Sequence, residues 1–231
     1  MNFQAAIFDL DGTLINSLED LADSANAMLA SYGFPTHPLD PYRYFVGNGS
    51  RKLIERCLPK EKATDPDFVE EALQRYKEIY AHHTEDKTRP YVGILSALQM
   101  LQQQGIPMGI CTNKHQSAAD EIVAHMFPQG LFRTISGDRP GLPRKPHPQK
   151  VLKMAEDFGV APRRVAYFGD TSVDMDTAHN AGFYAVGVLW GFRPQEELVA
   201  HGADILLASP EEITIKLSFA RKQPHDTAEI G

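Results

Sequence analysis

Short apolar runs alternate with amphipathic stretches along most of the chain. Residues 3–8 form an apolar run that ends in Asp-Leu-Asp-Gly, which predicts a buried strand followed by a turn. Further strand-like runs lie at residues 108–111, 132–136, 165–168, 185–189 and 205–207, the last of them suited to a sheet edge. Helical spacing occupies residues 94–103, 115–125, 148–158 and 172–181. This alternation of strand and helix predicts a parallel sheet with helices on both faces.

Residues 15–88 have a different pattern, because helical stretches occur there without a strand-like run. The predicted helices span residues 18–32, 50–57 and 67–82, and the prolines at 35, 38 and 41 break the chain between the first two. We therefore expect an α/β fold, with a three-layer, Rossmann-like parallel-sheet core and a small all-helical cap inserted after the first strand. The core is assigned to residues 1–14 and 89–221, the cap to 15–88, and a mobile tail to 222–231.

Composition and charge limit the classes of partner that the protein is expected to bind. The formal net charge of −7 disfavours nucleic acid and anionic lipid, and the basic residues are scattered along the chain. No apolar run approaches the ~20 residues that cross a bilayer, and the N-terminus lacks the pattern of a signal peptide. We expect a cytoplasmic protein, a monomer or homodimer, with no membrane partner. The two cysteines, Cys57 and Cys111, form no CxxC pair and are expected to be buried.

Polar side chains collect where the predicted strands end. They are Asp9 and Asp11 after the first strand, Thr112 and Asn113 after the second, and Asp170 with Asp174 after a later one. Each of these residues taken singly has the ordinary alternative of capping a helix or closing a turn. Because the carboxyl ends of parallel strands meet at one edge of the sheet, their joint occurrence indicates a ligand site there.

Four segments in this order carry a family resemblance. Asp9-Leu10-Asp11-Gly12-Thr13-Leu14, Thr112-Asn113, Lys145-Pro146 and Gly169-Asp170-Thr171-Ser172-Val173-Asp174 resemble the four motifs of the haloacid dehalogenase-like superfamily. The helical insert, the segment at 45–49 and the Trp-Gly-Phe-Arg segment at 190–193 are similar to the phosphoglycolate phosphatase-like branch. One departure is Asn16, where relatives often carry Asp; Asn caps a helix equally well.

The resemblance implies a Mg²⁺-dependent phosphatase. Asp9 would be the nucleophile that forms an aspartyl phosphate, and Asp11 the general acid and base. Carboxylates and a phosphate dianion repel one another, so a cation is needed, and oxygen-only ligands favour Mg²⁺. Asp9 and Asp170 would bind the ion through their side chains and Asp11 through its main-chain carbonyl. Asp174 would be either a further ligand or an orienting residue.

The same resemblance supplies candidates for phosphate and substrate binding. The phosphate would be held by Gly12, Thr13, Thr112, Asn113 and Lys145. Lys114 has two interpretations, assistance in phosphate binding or a surface position at a helix start, and the second is favoured. In the cap, substrate selection is assigned to Gly47, Asn48, Gly49 and Arg51, with Arg51 able to hold a carboxylate; the alternative is that 47–49 only begin a helix.

These expectations leave three functions open. The leading one is hydrolysis of a small-molecule phosphate monoester, with 2-phosphoglycolate favoured by the resemblance. The second is a sugar phosphomutase of the same superfamily, against which Thr13 counts because mutase relatives more often carry an aliphatic residue there. The third, from a different class, is a non-catalytic phosphate-binding regulator.

Overall fold

The computed structural model describes residues 2–221. Its strands are, in chain order, β1 (Asn2–Phe3), β2 (Ala5–Phe8), β3 (Ile15–Asn16), β4 (Arg89–Pro90), β5 (Met108–His115), β6 (Thr134–Asp138), β7 (Val165–Gly169), β8 (Tyr184–Val188), β9 (Ile205–Leu207) and β10 (Ser218–Phe219). Its α-helices are α1 (Leu18–Ser31), α2 (Leu39–Phe45), α3 (Ser50–Cys57), α4 (Lys60–Ala63), α5 (Pro66–Tyr80), α6 (Ile94–Gln103), α7 (Gln116–Met126), α8 (Gln149–Phe158), α9 (Ser172–Ala181), α10 (Gln195–Ala200) and α11 (Glu212–Lys216).

A six-stranded parallel sheet forms the centre of the fold. Its strand order is β6-β5-β2-β7-β8-β9, so the first long strand lies between β5 and β7. Phe8, at the end of β2, pairs with Ile110 of β5 and with Phe168 of β7. This register brings the residues that follow three different strands to one edge of the sheet, which is where the strand order changes direction and ligands bind in such folds.

Side-chain alternation along β2 shows why helices cover both faces of the sheet. Ala6 and Phe8 belong to an apolar cluster shared with α6 and α7, whereas Ala5 and Ile7 belong to a second cluster shared with α8 and α9. All four side chains are fully buried. Since successive residues of a strand point to opposite faces, one apolar strand supports two helical layers. The predicted α/β fold class is confirmed.

Helices α1–α5 form a third apolar cluster of their own. Its buried residues include Ala25, Met28, Tyr42 and Ile54, and one residue of the core, Phe192, joins it. The chain enters and leaves this helical region through β3 and β4, which pair antiparallel with Ile15 opposite Pro90. The boundaries assigned to core and cap stay a prediction, and this separate cluster is the observation that supports them.

Several predicted elements differ from the observed ones for local reasons. The prolines at 35–41 were expected to exclude a helix, but α2 spans Leu39–Phe45 because Pro41 lies in its first turn, where no amide donor is needed. Strand β5 continues to His115 through an irregularity after Cys111, so Thr112 and Asn113 lie within the strand's last residues instead of after it. The short elements β3, β4, β10, α4, α10 and α11 were not predicted, and β3 lies within residues 15–88, which were expected to contain no strand.

Three smaller expectations concern the chain as a whole. Both cysteines are buried, as predicted. Between residues 2 and 221, none of the helices combines the length and the apolar character that a membrane-crossing segment requires. The tail predicted at 222–231 lies outside the described residues.

Asp20 binds the backbone of residues 87–88, where the chain passes from the cap back to the core. Its buried carboxylate accepts hydrogen bonds from the amides of Lys87 and Thr88 and from the Thr88 hydroxyl at 2.6 Å. We expect Asp20→Ala to lower the free energy of unfolding by roughly 2–4 kcal/mol, because two buried donors of Thr88 and the partly buried Lys87 amide lose their acceptor. Urea denaturation measures this. Asp23→Ala is the control: its carboxylate is 61% exposed and pairs only with the Lys87 ammonium, so a loss below about 1 kcal/mol is expected. Equal losses in both variants would contradict this role of Asp20.

Candidate active site

Three aspartates meet at the carboxyl edge of the sheet. Asp9 follows β2, Asp170 follows β7, and Asp174 lies in the first turn of α9. One carboxylate oxygen from each lies within 4.8 Å of the other two, and all three side chains are buried. The sequence predicted this convergence, because neighbouring parallel strands end at the same edge.

Two glycines, Gly12 and Gly191, leave the space that the Asp170 side chain occupies. A Cβ atom added at Gly12, whose φ is +87°, would lie 2.3 Å from an Asp170 oxygen, and one at Gly191 would lie 2.2 Å from the Asp170 Cβ. The carboxylate then accepts hydrogen bonds from the Thr13 hydroxyl at 3.2 Å and from the Phe192 amide at 2.8 Å. Gly12 and Thr13, which were assigned to phosphate binding, thus contact the aspartate cluster directly.

Lys145 is the cation nearest to the cluster. Its buried ammonium lies 2.7 Å from Asp9 Oδ1 and 2.7 Å from Asp174 Oδ1. The other oxygen of Asp174 accepts from the amide and hydroxyl of Thr171, which forms a capping box at the start of α9. One oxygen of Asp174 is thus paired with the Lys145 cation, whereas the Thr13 hydroxyl and the Phe192 amide that donate to Asp170 are uncharged; this favours an orienting role for Asp174 over metal ligation.

The charges at this edge are not balanced by protein alone. Burial raises the pKa of Asp9 to about 7, and the charges of Asp174 and Asp11 add to the rise while Lys145 opposes it. Burial, with the charges of Asp174 and Asp9, also raises the pKa of Asp170 well above its usual range. For Lys145, burial lowers the pKa, but Asp174 and Asp9 outweigh that effect and hold it well above its usual value. The site thus favours an additional cation or added protons.

Asp11 lies beside the cluster with partners of its own. Its carboxylate accepts from the Ser17 hydroxyl at 2.6 Å and pairs with the Lys114 ammonium at 3.0 Å. Ser17 precedes α1 but makes no capping hydrogen bond there. The interpretation of Lys114 as a surface residue is wrong: its side chain is only 5% exposed, and its ammonium also lies 4.8 Å from the centre of the Tyr80 ring. The sequence favoured a surface position for Lys114 because lysines at helix starts are usually solvated.

Thr112 and Asn113 hold neighbouring backbone in the structure. The Thr112 hydroxyl accepts from the Lys114 amide at 3.1 Å. The Asn113 side chain donates to the carbonyls of Gly47 and Lys145 and accepts from the Lys145 amide at 3.0 Å. Asn113 therefore bridges the cap segment and the loop that carries Lys145, so its side-chain amide is already engaged.

A second buried lysine, Lys150, was not singled out in the sequence. Its ammonium donates to the carbonyls of Thr112 and Gly137, at 3.2 Å each, and joins the ends of β5 and β6. Burial lowers the pKa of Lys150, and repulsion by the positive charge of Lys145 lowers it further. The helical pattern of α8 placed Lys150 near apolar positions, but sequence alone gives no sign of the two carbonyls.

A cavity of about 280 Å³ opens from Asp9 and Asp11 between cap and core. Of the predicted cap residues, Gly47 and Gly49 line it. Asn48 and Arg51 are not among its lining residues: the Asn48 side chain accepts from Arg56, and Arg51 pairs with Glu70 on α5. Lining residues that the sequence did not indicate include Leu53, Tyr76, Tyr80, Thr84 and Ser117.

The fold and these buried acids define a hydrolase-type site on an open α/β sheet. Residues 6–188 match the family model described as haloacid dehalogenase-like hydrolase. The chain belongs to this family.

Individual relatives extend the comparison over nearly the whole chain. It is 35% identical to the phosphoglycolate phosphatase of Thiobacillus denitrificans, over 94% of this chain and 96% of that protein. It is 31% identical to the phosphoglycolate phosphatase of Psychrobacter arcticus, over 92% and 91%. Among solved structures, one described as a predicted phosphoglycolate phosphatase from Haemophilus somnus superposes with a TM-score of 0.85 and 27% identity, covering 94% of this chain and 99% of that one. These similarities confirm the predicted family, its phosphoglycolate phosphatase-like branch and the enzyme class.

The crowding of carboxylates predicts a stability effect. Asp170→Asn should raise the free energy of unfolding in metal-free buffer at pH 7 by roughly 1–2 kcal/mol, because it removes a buried charge whose pKa is raised. The amide can keep both partners, accepting from the Phe192 amide and donating to the Thr13 hydroxyl. Urea denaturation with and without a divalent cation measures this, and the variant should lose any stabilisation by the cation. Asp176→Asn, at a side chain 42% exposed, is the control. A destabilised Asp170→Asn that still responds to the cation would contradict the prediction.

Proposed function

We propose that this enzyme is a Mg²⁺-dependent phosphatase that hydrolyses a small-molecule phosphate monoester through an aspartyl phosphate on Asp9. The observation that supports the proposal is the buried group of Asp9, Asp170 and Asp174, with Lys145 as its paired cation. A carboxylate nucleophile divides one slow displacement at phosphorus into two faster ones.

The residues present fit a Mg²⁺ ion. Lys145 pairs with two of the three carboxylates, and all the candidate ligands are oxygen atoms, the donors that Mg²⁺ prefers. We assign Asp9 and Asp170 as side-chain ligands and the Asp11 main-chain carbonyl as a third, with Asp174 orienting Lys145. When bound, the ion would neutralise the phosphate charge and keep it close to Asp9.

Proton transfer is assigned to Asp11. In the first step, an Asp9 oxygen attacks phosphorus, the ester bond breaks, and Asp11 donates a proton to the leaving oxygen. In the second, Asp11 takes a proton from water, which attacks the acyl phosphate and releases inorganic phosphate and free Asp9. Ser17 and Lys114 hold the Asp11 carboxylate through both contacts described above, so its position beside Asp9 is fixed before substrate arrives.

The remaining predicted residues divide into two groups. Lys145 and Thr112 are assigned to the phosphoryl oxygens, where a cation and a hydroxyl stabilise negative charge. Gly12 and Thr13 act beside them by accommodating and contacting Asp170. Phosphate binding by the Asn113 side chain would require it to leave Gly47 and Lys145, so we assign Asn113 to holding those two loops in place.

We propose 2-phosphoglycolate as the substrate because relatives at 31–35% identity carry the name phosphoglycolate phosphatase. Gly47 and Gly49 contribute backbone to the cavity, and Lys114 contributes a cation. Recognition of the substrate carboxylate by Arg51 has no support in the geometry, because Arg51 pairs with Glu70. A cytoplasmic location, the absence of nucleic-acid partners and a monomeric or homodimeric state stay predictions from the sequence.

A panel of phosphate esters tests the proposed activity. With Mg²⁺ we expect release of inorganic phosphate, fastest from 2-phosphoglycolate, and no release with chelator. Asp9→Asn should lower kcat at least roughly a thousandfold, because it removes the nucleophile. Mass spectrometry of acid-quenched wild type should find one phosphoryl group on the peptide that contains Asp9.

Two outcomes would contradict the proposal. Conversion of a sugar 1-phosphate into its 6-phosphate with almost no free phosphate would indicate the mutase. Binding of esters with Mg²⁺ but without turnover would indicate the regulator.

Lys114→Met tests the positioning of Asp11. We expect kcat/KM to fall roughly tenfold or more, because the general acid loses its ion pair beside the reacting bond. Lys153→Met removes an exposed lysine that pairs with Glu156 on α8, and should leave the kinetics unchanged. Steady-state kinetics of both variants with the same ester measure the difference. Equal activities would contradict the proposed role of Lys114 in positioning Asp11.

A further inference from the structure

The segment Trp-Gly-Phe-Arg at residues 190–193, which we call the linking segment, lies between β8 and α10. The reaction described above gives it no role. Each of its four residues nevertheless contacts the cap, Asp170 or Thr13, which donates to Asp170. The segment therefore lies between two parts of the molecule that the chain itself joins through the short strands β3 and β4.

Gly191 and Phe192 of the linking segment contact Asp170, and Trp190 reaches it through Thr13. Trp190 Nε1 donates to the carbonyl of Thr13 at 2.9 Å, and the hydroxyl of the same threonine donates to Asp170. Gly191 has no space for a Cβ atom against Asp170. The Phe192 amide donates to Asp170 Oδ2 at 2.8 Å. The conformation of this segment and the position of the Asp170 carboxylate are thus mutually dependent.

The side chain of Phe192 points the other way, into the cap. It is 4% exposed and belongs to the apolar cluster of α1–α5. Its amide therefore contacts a proposed metal ligand while its ring is buried among cap side chains. A displacement of the cap would expose this ring to water, which is unfavourable.

Arg193 makes the polar contacts to the cap. Its Nη2 donates to the carbonyl of Val46 at 3.1 Å, and its guanidinium lies 5.0 Å from the centre of the Tyr44 ring. Within the core, its Nε pairs with Glu197 at 3.3 Å. The guanidinium is nearly buried, and its charge strengthens each of these contacts.

A second core residue holds the adjacent carbonyl of the cap. Asn113 donates to Gly47, the next residue after Val46, from the opposite side of the site. We call residues 46–49 the cap loop. Two of its consecutive carbonyls, those of Val46 and Gly47, are therefore each bound by a core side chain. Val46, Gly47 and Gly49 of this loop line the cavity above Asp9.

We propose that Arg193 is a positioning residue that fastens the cap loop over the aspartate cluster, and that the linking segment couples this closure to Asp170. The coupling rests on the proposed function in so far as Asp170 binds the metal ion. Occupation of the metal site should make the Phe192 amide and the Asp170 carboxylate more rigid, which favours the closed position of the cap loop. By linkage, closure should in turn favour ion binding.

Amide hydrogen exchange tests the proposal without relying on turnover. Mg²⁺ and inorganic phosphate are the probes, added to wild type and to Arg193→Met. In wild type, both should slow exchange in the cap loop and at the Phe192 amide. In Arg193→Met, the Phe192 amide should still respond, whereas the liganded cap loop should exchange roughly tenfold faster than in wild type, or more, because a buried charge-assisted contact is lost.

Two further variants separate fastening from general loss of structure. Arg75→Met removes an arginine of α5 whose guanidinium lies 5.8 Å from the centre of the Tyr32 ring, within the cap but outside the cap loop, so it should keep the wild-type response of the cap loop. Glu197→Gln removes the charge partner of Arg193 but keeps its contact with Val46, and should also respond like wild type. Kinetics with 2-phosphoglycolate should show a lower kcat/KM in Arg193→Met alone.

The outcomes are distinct. Cap-loop protection in Arg193→Met equal to wild type, or its equal loss in Arg75→Met, would overturn the proposal. An absence of phosphate release by wild type, with the exchange pattern as expected, would instead contradict the proposed function and leave the fastening role of Arg193 supported.

Discussion

The mutual repulsion of buried carboxylates is the constraint on which this site depends. Two unit charges about 4 Å apart cost roughly 4 kcal/mol at an effective dielectric constant of ~20, and Asp9, Asp170 and Asp174 form three such pairs within 4.8 Å. Lys145 contacts two of the three and offsets part of this energy. The aspartates therefore remain together because the surrounding fold holds them, and the remaining excess of negative charge favours the binding of an additional cation.

The fold supplies this restraint through backbone as much as through side chains. Parallel pairing of β2 and β7 fixes the separation of Asp9 and Asp170, and glycines at 12 and 191 allow main chain to lie directly against the Asp170 carboxylate. The capping box at Thr171 fixes Asp174, which then positions Lys145. Each of these contacts costs conformational freedom that a stable three-layer core can offset, so the site is pre-organised before a ligand binds.

The helical cap completes the enclosure. The cap has its own apolar cluster, but it shares Phe192 with the core, and its loop at 46–49 is held by Asn113 and Arg193. The cavity between the two parts is consequently lined by residues from both. Gly47 and Gly49 reach the cavity although they lie far from Asp9 in sequence, because core side chains bind the loop that carries them.

The sequence was most informative where local chemistry and strand order coincide. Asp9, Asp170 and Asp174 could be placed together because each follows or lies near a predicted strand end, and Lys145 followed from the resemblance. The contacts of Ser17, Lys114 and Lys150 were not predicted, because their partners are set by packing between distant segments, which no local pattern encodes. Arg51 shows the opposite error: its charge suggested a substrate contact, but the orientation of α3 directs it toward Glu70. Helix α2 was missed because proline was treated as a breaker at a first-turn position that tolerates it.

The most direct test of the central claim is a crystal structure of the protein with Mg²⁺ and orthovanadate, a mimic of the phosphoryl group in transfer. We expect vanadium bonded to a carboxylate oxygen of Asp9, with the metal ion held by Asp9 and Asp170 and the Lys145 ammonium against the vanadate oxygens. Vanadate bound elsewhere in the cavity, with Asp9 still paired only to Lys145 and no ion at Asp170, would contradict it.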